Sequence, residues 1–119
     1  MSEKILLVDD DLHNLNTLSR FLRTEGYEVA EASSGSEAVR LLERDHFDLI
    51  ISDVIMPGVN GLQVVDSVRS LAPNTRVLFM TGFPSVNRTG LVNQQAADLI
   101  MKPFDVYELL SKVKLALER

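Results

Sequence analysis

Five polar residues far apart in the chain have the chemistry to work together if a fold gathers them: Asp9 and its neighbour Asp10, then Asp53, Thr81 and Lys102. Three carboxylates, one hydroxyl and one ammonium suit a site that holds a cation and an anion side by side. Asp9, Asp10 and Asp53 carry −3 against the +1 of Lys102, so one divalent cation would bring the group to neutrality. Carboxylates crowded in this way titrate as a unit. With oxygen donors alone on offer, Mg²⁺ is the natural occupant, since it keeps several waters and accepts phosphate oxygens. Asp53 stands apart from the acidic pair, which makes it the nucleophile candidate, held ionised by the cation and Lys102. A phosphoryl group carried on it would spread charge over three equatorial oxygens, which the cation, Lys102 and the Thr81 hydroxyl could stabilise. Asp11 has the simpler reading of a helix N-cap.

The spacing of apolar residues supplies the elements that must position this set. Short runs at Ile5 to Val8, Tyr27 to Ala30, Leu49 to Ile51, Val77 to Met80 and Leu99 to Met101 alternate with stretches of helical period. The runs at Ile5, Leu49 and Val77 are nearly continuous aliphatic segments, as expected of strands buried on both faces of a parallel sheet. Tyr27 to Glu31 alternates instead, as an edge strand does. Leu12, Leu15, Leu18 and Leu22 predict the inner face of a first helix that Gly26 can terminate. Ser34 with Glu37 reads as a capping box for a second, carrying Ala38, Leu41 and Leu42 inward. Leu62, Val65 and Val68 mark another, and Ser85 to Gln95, with Gly90, Asn87 and Asn93, predicts a short or irregular fourth. Pro103 fits the first turn of a last helix whose stripe is Val106, Leu109, Leu110, Val113 and Leu117. Alternating β and α units with short connections predict an α/β fold with a parallel sheet covered by helices on both faces. In such sheets ligands sit outside the carboxyl ends of the strands. The residues that follow the runs there are Asp9-Asp10-Asp11, Ser52-Asp53, Thr81-Gly82 and Lys102-Pro103.

Composition narrows the function classes. At 119 residues, with 45% hydrophobic and 24% charged residues, the chain is sized for one ordinary domain, which we place over residues 1–119. It contains no cysteine, so neither a disulfide nor a thiolate metal site is available, which fits a reducing compartment. The net charge of −5 argues against nucleic acid as a direct ligand. No signal-peptide pattern and no apolar stretch of membrane-spanning length is visible, so the expectation is a cytoplasmic domain with no membrane contact. A nucleotide-binding enzyme is the obvious rival for such a sheet, but neither a glycine-rich dinucleotide turn nor a phosphate loop occurs. A haloacid-dehalogenase-like phosphatase would want Asp-x-Asp after the first strand, which Asp9 and Asp11 offer without the length for a cap domain. His13 and His46 lack metal-ligand spacing and read as surface residues.

Taken in order, Ile5-Leu6-Leu7-Val8-Asp9-Asp10, Asp53-Val54-Ile55-Met56-Pro57-Gly58-Val59-Asn60-Gly61, Thr81-Gly82 and Lys102-Pro103-Phe104 resemble a response-regulator receiver domain of bacterial two-component signalling. The resemblance spans the whole chain. It implies a flavodoxin-like, five-stranded doubly wound sheet of order 2-1-3-4-5. It further implies that Asp53 accepts a phosphoryl group from the phosphohistidine of a sensor kinase or phosphotransfer protein, that Asp9, Asp10, Asp53 and the backbone carbonyl of Ile55 bind Mg²⁺, that Thr81 is the switch hydroxyl, and that Lys102 pairs with the phosphate. The Lys102-Pro103 bond is expected to be cis. Such a domain is no enzyme toward other substrates; it catalyses only its own phosphorylation and dephosphorylation. Phosphorylation would then alter the face formed by the fourth helix, the fifth strand and the last helix, toward an effector domain or protein.

Two positions depart from the family pattern. Leu99 stands three before the lysine, where receivers usually carry an aromatic that swings inward, and Gln95-Ala96 replaces the usual Gly-Ala pair. Leu99 is the best argument for the alternative reading, an interaction module that does not depend on phosphorylation. The two positions that tune phosphoryl lifetime hold Ile55 and Phe83, which cannot orient a water. Either they slow dephosphorylation by shielding the phosphorus or they only pack against the loops. Whether the chain is stand-alone or the amino-terminal part of a longer regulator stays open, as does homodimerisation through the last helix and fifth strand.

Overall fold

The computed structural model describes residues 3–53, 70–71, 74–81 and 98–118. Five strands assemble there: β1 (Lys4–Val8), β2 (Glu28–Ala32), β3 (Leu49–Asp53), β4 (Arg76–Thr81) and β5 (Asp98–Met101). All neighbouring pairs are parallel, and the order across the sheet is β2-β1-β3-β4-β5, as expected. Three helices are described: α1 (Leu12–Thr24), α2 (Gly35–Arg44) and α3 (Val106–Glu118).

The continuous apolar runs follow from burial on both sides. Side chains alternate between the faces of a strand, so each central strand feeds two cores. Leu6, Val8, Ile50, Val77 and Phe79 pack with Ala38, Leu42 and Phe47 on the α2 side. Ile5, Leu7, Leu49, Ile51, Leu78 and Met80 pack with Leu15, Leu18 and Leu22 of α1 and Leu109, Val113 and Ala116 of α3 on the other. Burying each Ile, Leu or Phe contributes about 1.5–3 kcal/mol. These contacts hold the carboxyl ends of four strands level, which is what the site requires.

Local signals set the helix ends. Asp11 caps α1, and Gly26, at φ 98, closes it in the left-handed conformation that glycine adopts without strain. The N–H groups of Gly26 and Tyr27 return to the carbonyls of Arg23 and Leu22, satisfying two of the carbonyls left over at the helix end. Ser34 caps α2 by accepting from the Glu37 N–H, while the Glu37 carboxylate accepts from the Ser33 N–H, one residue earlier than a standard capping box.

Three expectations are corrected. Leu12 does not join the buried stripe of α1; it is 68% exposed, because it opens the helix at the rim where the turn leaves the sheet. Pro103 precedes α3 rather than entering its first turn, since the Asp105 carboxylate accepts from the Glu108 N–H and sets the start there. The second strand begins at Glu28 and reaches Ala32, two residues beyond the apolar run, because pairing with β1 continues to Val8↔Ala32. The helices expected around Leu62 to Val68 and Ser85 to Gln95, with Gln95-Ala96, lie outside the described residues.

Candidate functional site

Strand register alone brings the chemistry together. Val8 pairs with Ser52, so the residues that follow, Asp9 and Asp53, sit on adjacent chains at the same level. Asp53 pairs with Met80, one residue short of Thr81, and Thr81 pairs with Met101, one residue short of Lys102. Four residues spread over most of the sequence therefore meet along one rim. Thr81 is placed by its backbone at the end of β4; its side chain, like Ile55 and Phe83, lies outside the described residues.

The described side chains converge tightly. Asp9, Asp10 and Asp53 each place a carboxylate oxygen within 4.8 Å of the others. Lys102 reaches across from the end of β5 and donates to Asp53 Oδ2 at 2.6 Å. That pair is mostly shielded, with side-chain exposures of 29% for Lys102 and 15% for Asp53, so its attraction is less screened than that of a surface ion pair. The Lys102-Pro103 peptide bond is cis.

Asp9 is the buried member, only 1% exposed. Its own N–H donates to the Ala32 carbonyl at 3.1 Å, and its Oδ1 accepts from the Asp11 N–H at 3.0 Å. Its other oxygen, Oδ2, is buried with no hydrogen-bond partner among the described residues. Burial pushes the Asp9 carboxyl above the usual carboxylate range, and the negative charges of Asp53 and Asp10 add to this, against the Asp11 hydrogen bond and the positive charge of Lys102. For Lys102, burial works against the ammonium, but the hydrogen bond to Asp53 and the charges of Asp53, Asp9 and Asp10 outweigh it and hold its pKa above the ordinary lysine value.

A buried, unsatisfied carboxylate oxygen beside two further carboxylates is an unfavourable arrangement on its own. A hard divalent cation resolves it, because oxygen donors without nitrogen or sulfur are the set Mg²⁺ prefers. The residues present therefore fit that ion.

Beside Asp9 and Lys102, a cavity of about 380 Å³ opens between α1 and the segment after β5, lined by Asn14, Thr17, Leu18, Phe104 and Val106. Its only signal in the sequence is Asn14 and Thr17, polar residues at helical spacing next to the inward Leu18. Leu99 is partly buried and packs against the core on the α2 side, opposite Phe79 in register. His13 and His46 are exposed, as expected. None of the described helices is long and apolar enough to cross a membrane.

Comparison with known proteins agrees with this geometry. The family profile described as the response regulator receiver domain matches residues 5–114. The response regulator protein FleR of Pseudomonas aeruginosa is 40% identical over 95% of this chain and 24% of its own length. The transcriptional regulatory protein PrrA of Mycobacterium tuberculosis is 37% identical over 99% of this chain and 51% of its own. The chain thus spans about half, or less, of the length of these curated relatives. Among solved structures, a CheY-like response regulator receiver domain protein from Methanospirillum hungatei superposes with a TM-score of 0.92 at 31% identity, covering 99% of this chain and 95% of that one.

Proposed function

The chain belongs to the response regulator receiver domains of two-component systems, and from that premise we propose that it accepts a phosphoryl group on Asp53 from the phosphohistidine of a sensor kinase or phosphotransfer protein. The observation that carries this reading is the Lys102 Nζ–Asp53 Oδ2 contact of 2.6 Å inside a cluster of three carboxylates at the carboxyl ends of the strands.

The Asp53 carboxylate attacks phosphorus, an O–P bond forms as the donor's N–P bond breaks, and the donor imidazole keeps the electron pair. Lys102 holds Asp53 oriented before transfer, and afterwards supplies a positive charge to the phosphoryl oxygens. The Thr81 hydroxyl, at the end of β4, donates to the same group and is the residue through which the rim responds. Asp9, Asp10, Asp53 and the backbone carbonyl of Ile55 would hold Mg²⁺, which when bound offsets the repulsion between carboxylates and the incoming phosphoryl oxygens. Ile55 and Phe83 shield the phosphorus from water and lengthen the phosphorylated state. The domain acts on no other substrate in this reading.

Residues 1–119 serve as the receiver unit, and the greater length of the curated relatives supports its placement in a longer regulator with an effector domain. Acting in the cytoplasm, it then has as partners a sensor kinase or phosphotransfer protein and an effector, with direct nucleic-acid contact left to the effector given the −5 charge. The phosphorylated state shifts the population of the face that includes β5 and α3. Beryllofluoride, which mimics the acyl phosphate, tests the reading: Mg²⁺-dependent binding that Asp53→Asn abolishes is expected, and binding without Mg²⁺ or unaffected by Asp53→Asn would overturn it.

A further inference from the structure

Asp11 ties the first helix to the acidic cluster. It occupies the N-cap of α1 in an extended conformation, φ −84 and ψ 106, and its Oδ1 accepts from the His13 N–H at 3.0 Å and the Asn14 N–H at 3.2 Å. Its carbonyl accepts from the Leu15 N–H at 2.9 Å. With the helix fixed on one side, the Asp11 N–H points back to Asp9 and donates to Oδ1 at 3.0 Å. Asp9 is thereby held twice, through its backbone by Ala32 of β2 and through one carboxylate oxygen by Asp11, and Oδ2 is the oxygen left without a hydrogen bond among the described residues.

We propose that Asp11 is a positioning residue for the cation site: by capping α1 it fixes the peptide N–H that anchors Asp9 Oδ1, and so reserves Asp9 Oδ2 for the ion. The inference rests on the reading of Asp9, Asp10 and Asp53 as that site. A carboxylate anchored at one oxygen is restrained from rotating, so part of the ordering that metal binding would otherwise demand is already done by the fold. Asp11 Oδ1 is taken up by the helix N–H groups and Asp11 is not among the carboxylates that cluster, so its role is indirect and depends on being a cap rather than on being charged. Asparagine caps a helix about as well as aspartate, and alanine does not.

That difference gives the test. Mn²⁺ is titrated into the chain, with the free-ion electron paramagnetic resonance signal reporting affinity, for wild type, Asp11→Ala, Asp11→Asn and Ser34→Ala. Ser34→Ala removes a comparable cap from α2, which makes no bond to Asp9, and so controls for general loss of helix stability. Asp11→Ala should weaken Mn²⁺ binding by about 10–100-fold, the usual effect of removing a group that orients a ligand. Asp11→Asn should stay within about threefold of wild type, because its amide oxygen accepts the same N–H groups. Ser34→Ala should leave affinity unchanged.

Wild-type affinity retained in Asp11→Ala would overturn the inference. So would Asp11→Asn as weak as Asp11→Ala, which would make the effect one of charge, or Ser34→Ala as weak as either, which would make it one of stability. These outcomes leave the cation site standing. Failure of the wild type to bind Mn²⁺ in a manner sensitive to Asp9→Asn and Asp53→Asn would overturn the site and the inference together.

Discussion

Lys102 Nζ lies 2.6 Å from Asp53 Oδ2 although 49 residues separate the two in sequence. The contact exists because β3, β4 and β5 are parallel and in register, so that the residues at or just past their carboxyl ends share one rim. It joins a nucleophile candidate to a cation that burial would otherwise discourage.

Replacing Lys102 with alanine should therefore slow labelling of Asp53 by acetyl phosphate about 100-fold, the scale expected when a positioned charge is removed from a transition state. Quenched time courses resolved by phosphate-affinity gels measure it. Labelling at the wild-type rate would mean that the ion pair is structural only.

Asp9 makes a pH prediction whose sign is fixed by its raised pKa. The folded chain binds a proton more tightly than the unfolded chain, so without divalent ions stability falls as pH rises from the ordinary value of 3.8 through the raised folded value. Asp9→Asn keeps an oxygen for the Asp11 N–H and removes the buried charge. It should be more stable than wild type by about 1 kcal/mol at neutral pH in EDTA, and its stability should no longer rise when Mg²⁺ is added. Urea unfolding in EDTA and in Mg²⁺, at two pH values, reads both effects; a destabilised Asp9→Asn in EDTA would contradict the account.

Much of this was legible in the sequence because parallel strands buried on both faces leave few choices. The runs at Ile5, Leu49 and Val77 carry the pattern of strands buried on both faces, and the residues after them and after the Leu99 run, Asp9, Asp53, Thr81 and Lys102, fall on the one rim that the observed register forms. What stayed hidden depended on tertiary context. Leu12 has the right helical phase to be buried, yet it opens α1 at the rim and is exposed. Pro103 suits a first turn, but the Asp105 cap decides where α3 starts. The orphaned oxygen of Asp9 has no sequence signature at all, since any buried aspartate reads the same in one dimension.

The two-sided core predicts a sharp contrast between neighbouring elements. Leu78, fully buried in β4, should cost about 2–5 kcal/mol when cut to alanine, because the packed faces around it cannot collapse into the space. Tyr107 is 76% exposed on α3, and Tyr107→Ala should change stability by no more than about 0.5 kcal/mol. Denaturant midpoints for the two variants test this, and comparable losses would show that the α3 surface carries packing not evident here.

Ile55 supplies a kinetic prediction from its chemistry, since it lies outside the described residues. An aliphatic side chain two residues after Asp53 cannot orient water, whereas asparagine can. Ile55→Asn should shorten the lifetime of the phosphorylated state about tenfold, less than the roughly hundredfold or more of a true general base, because an amide orients water without taking its proton. Unchanged phosphate release would assign Ile55 to packing alone.

The central claim is that Asp53 carries the phosphoryl group. The direct measurement is tandem mass spectrometry of the chain after incubation with acetyl phosphate and Mg²⁺, with the acyl phosphate trapped by borohydride reduction to locate the modified residue. The account predicts one modified position, Asp53, labelled only when Mg²⁺ is present and lost in Asp53→Asn. A label at any other aspartate in the wild-type chain, or none at Asp53 under these conditions, would contradict it.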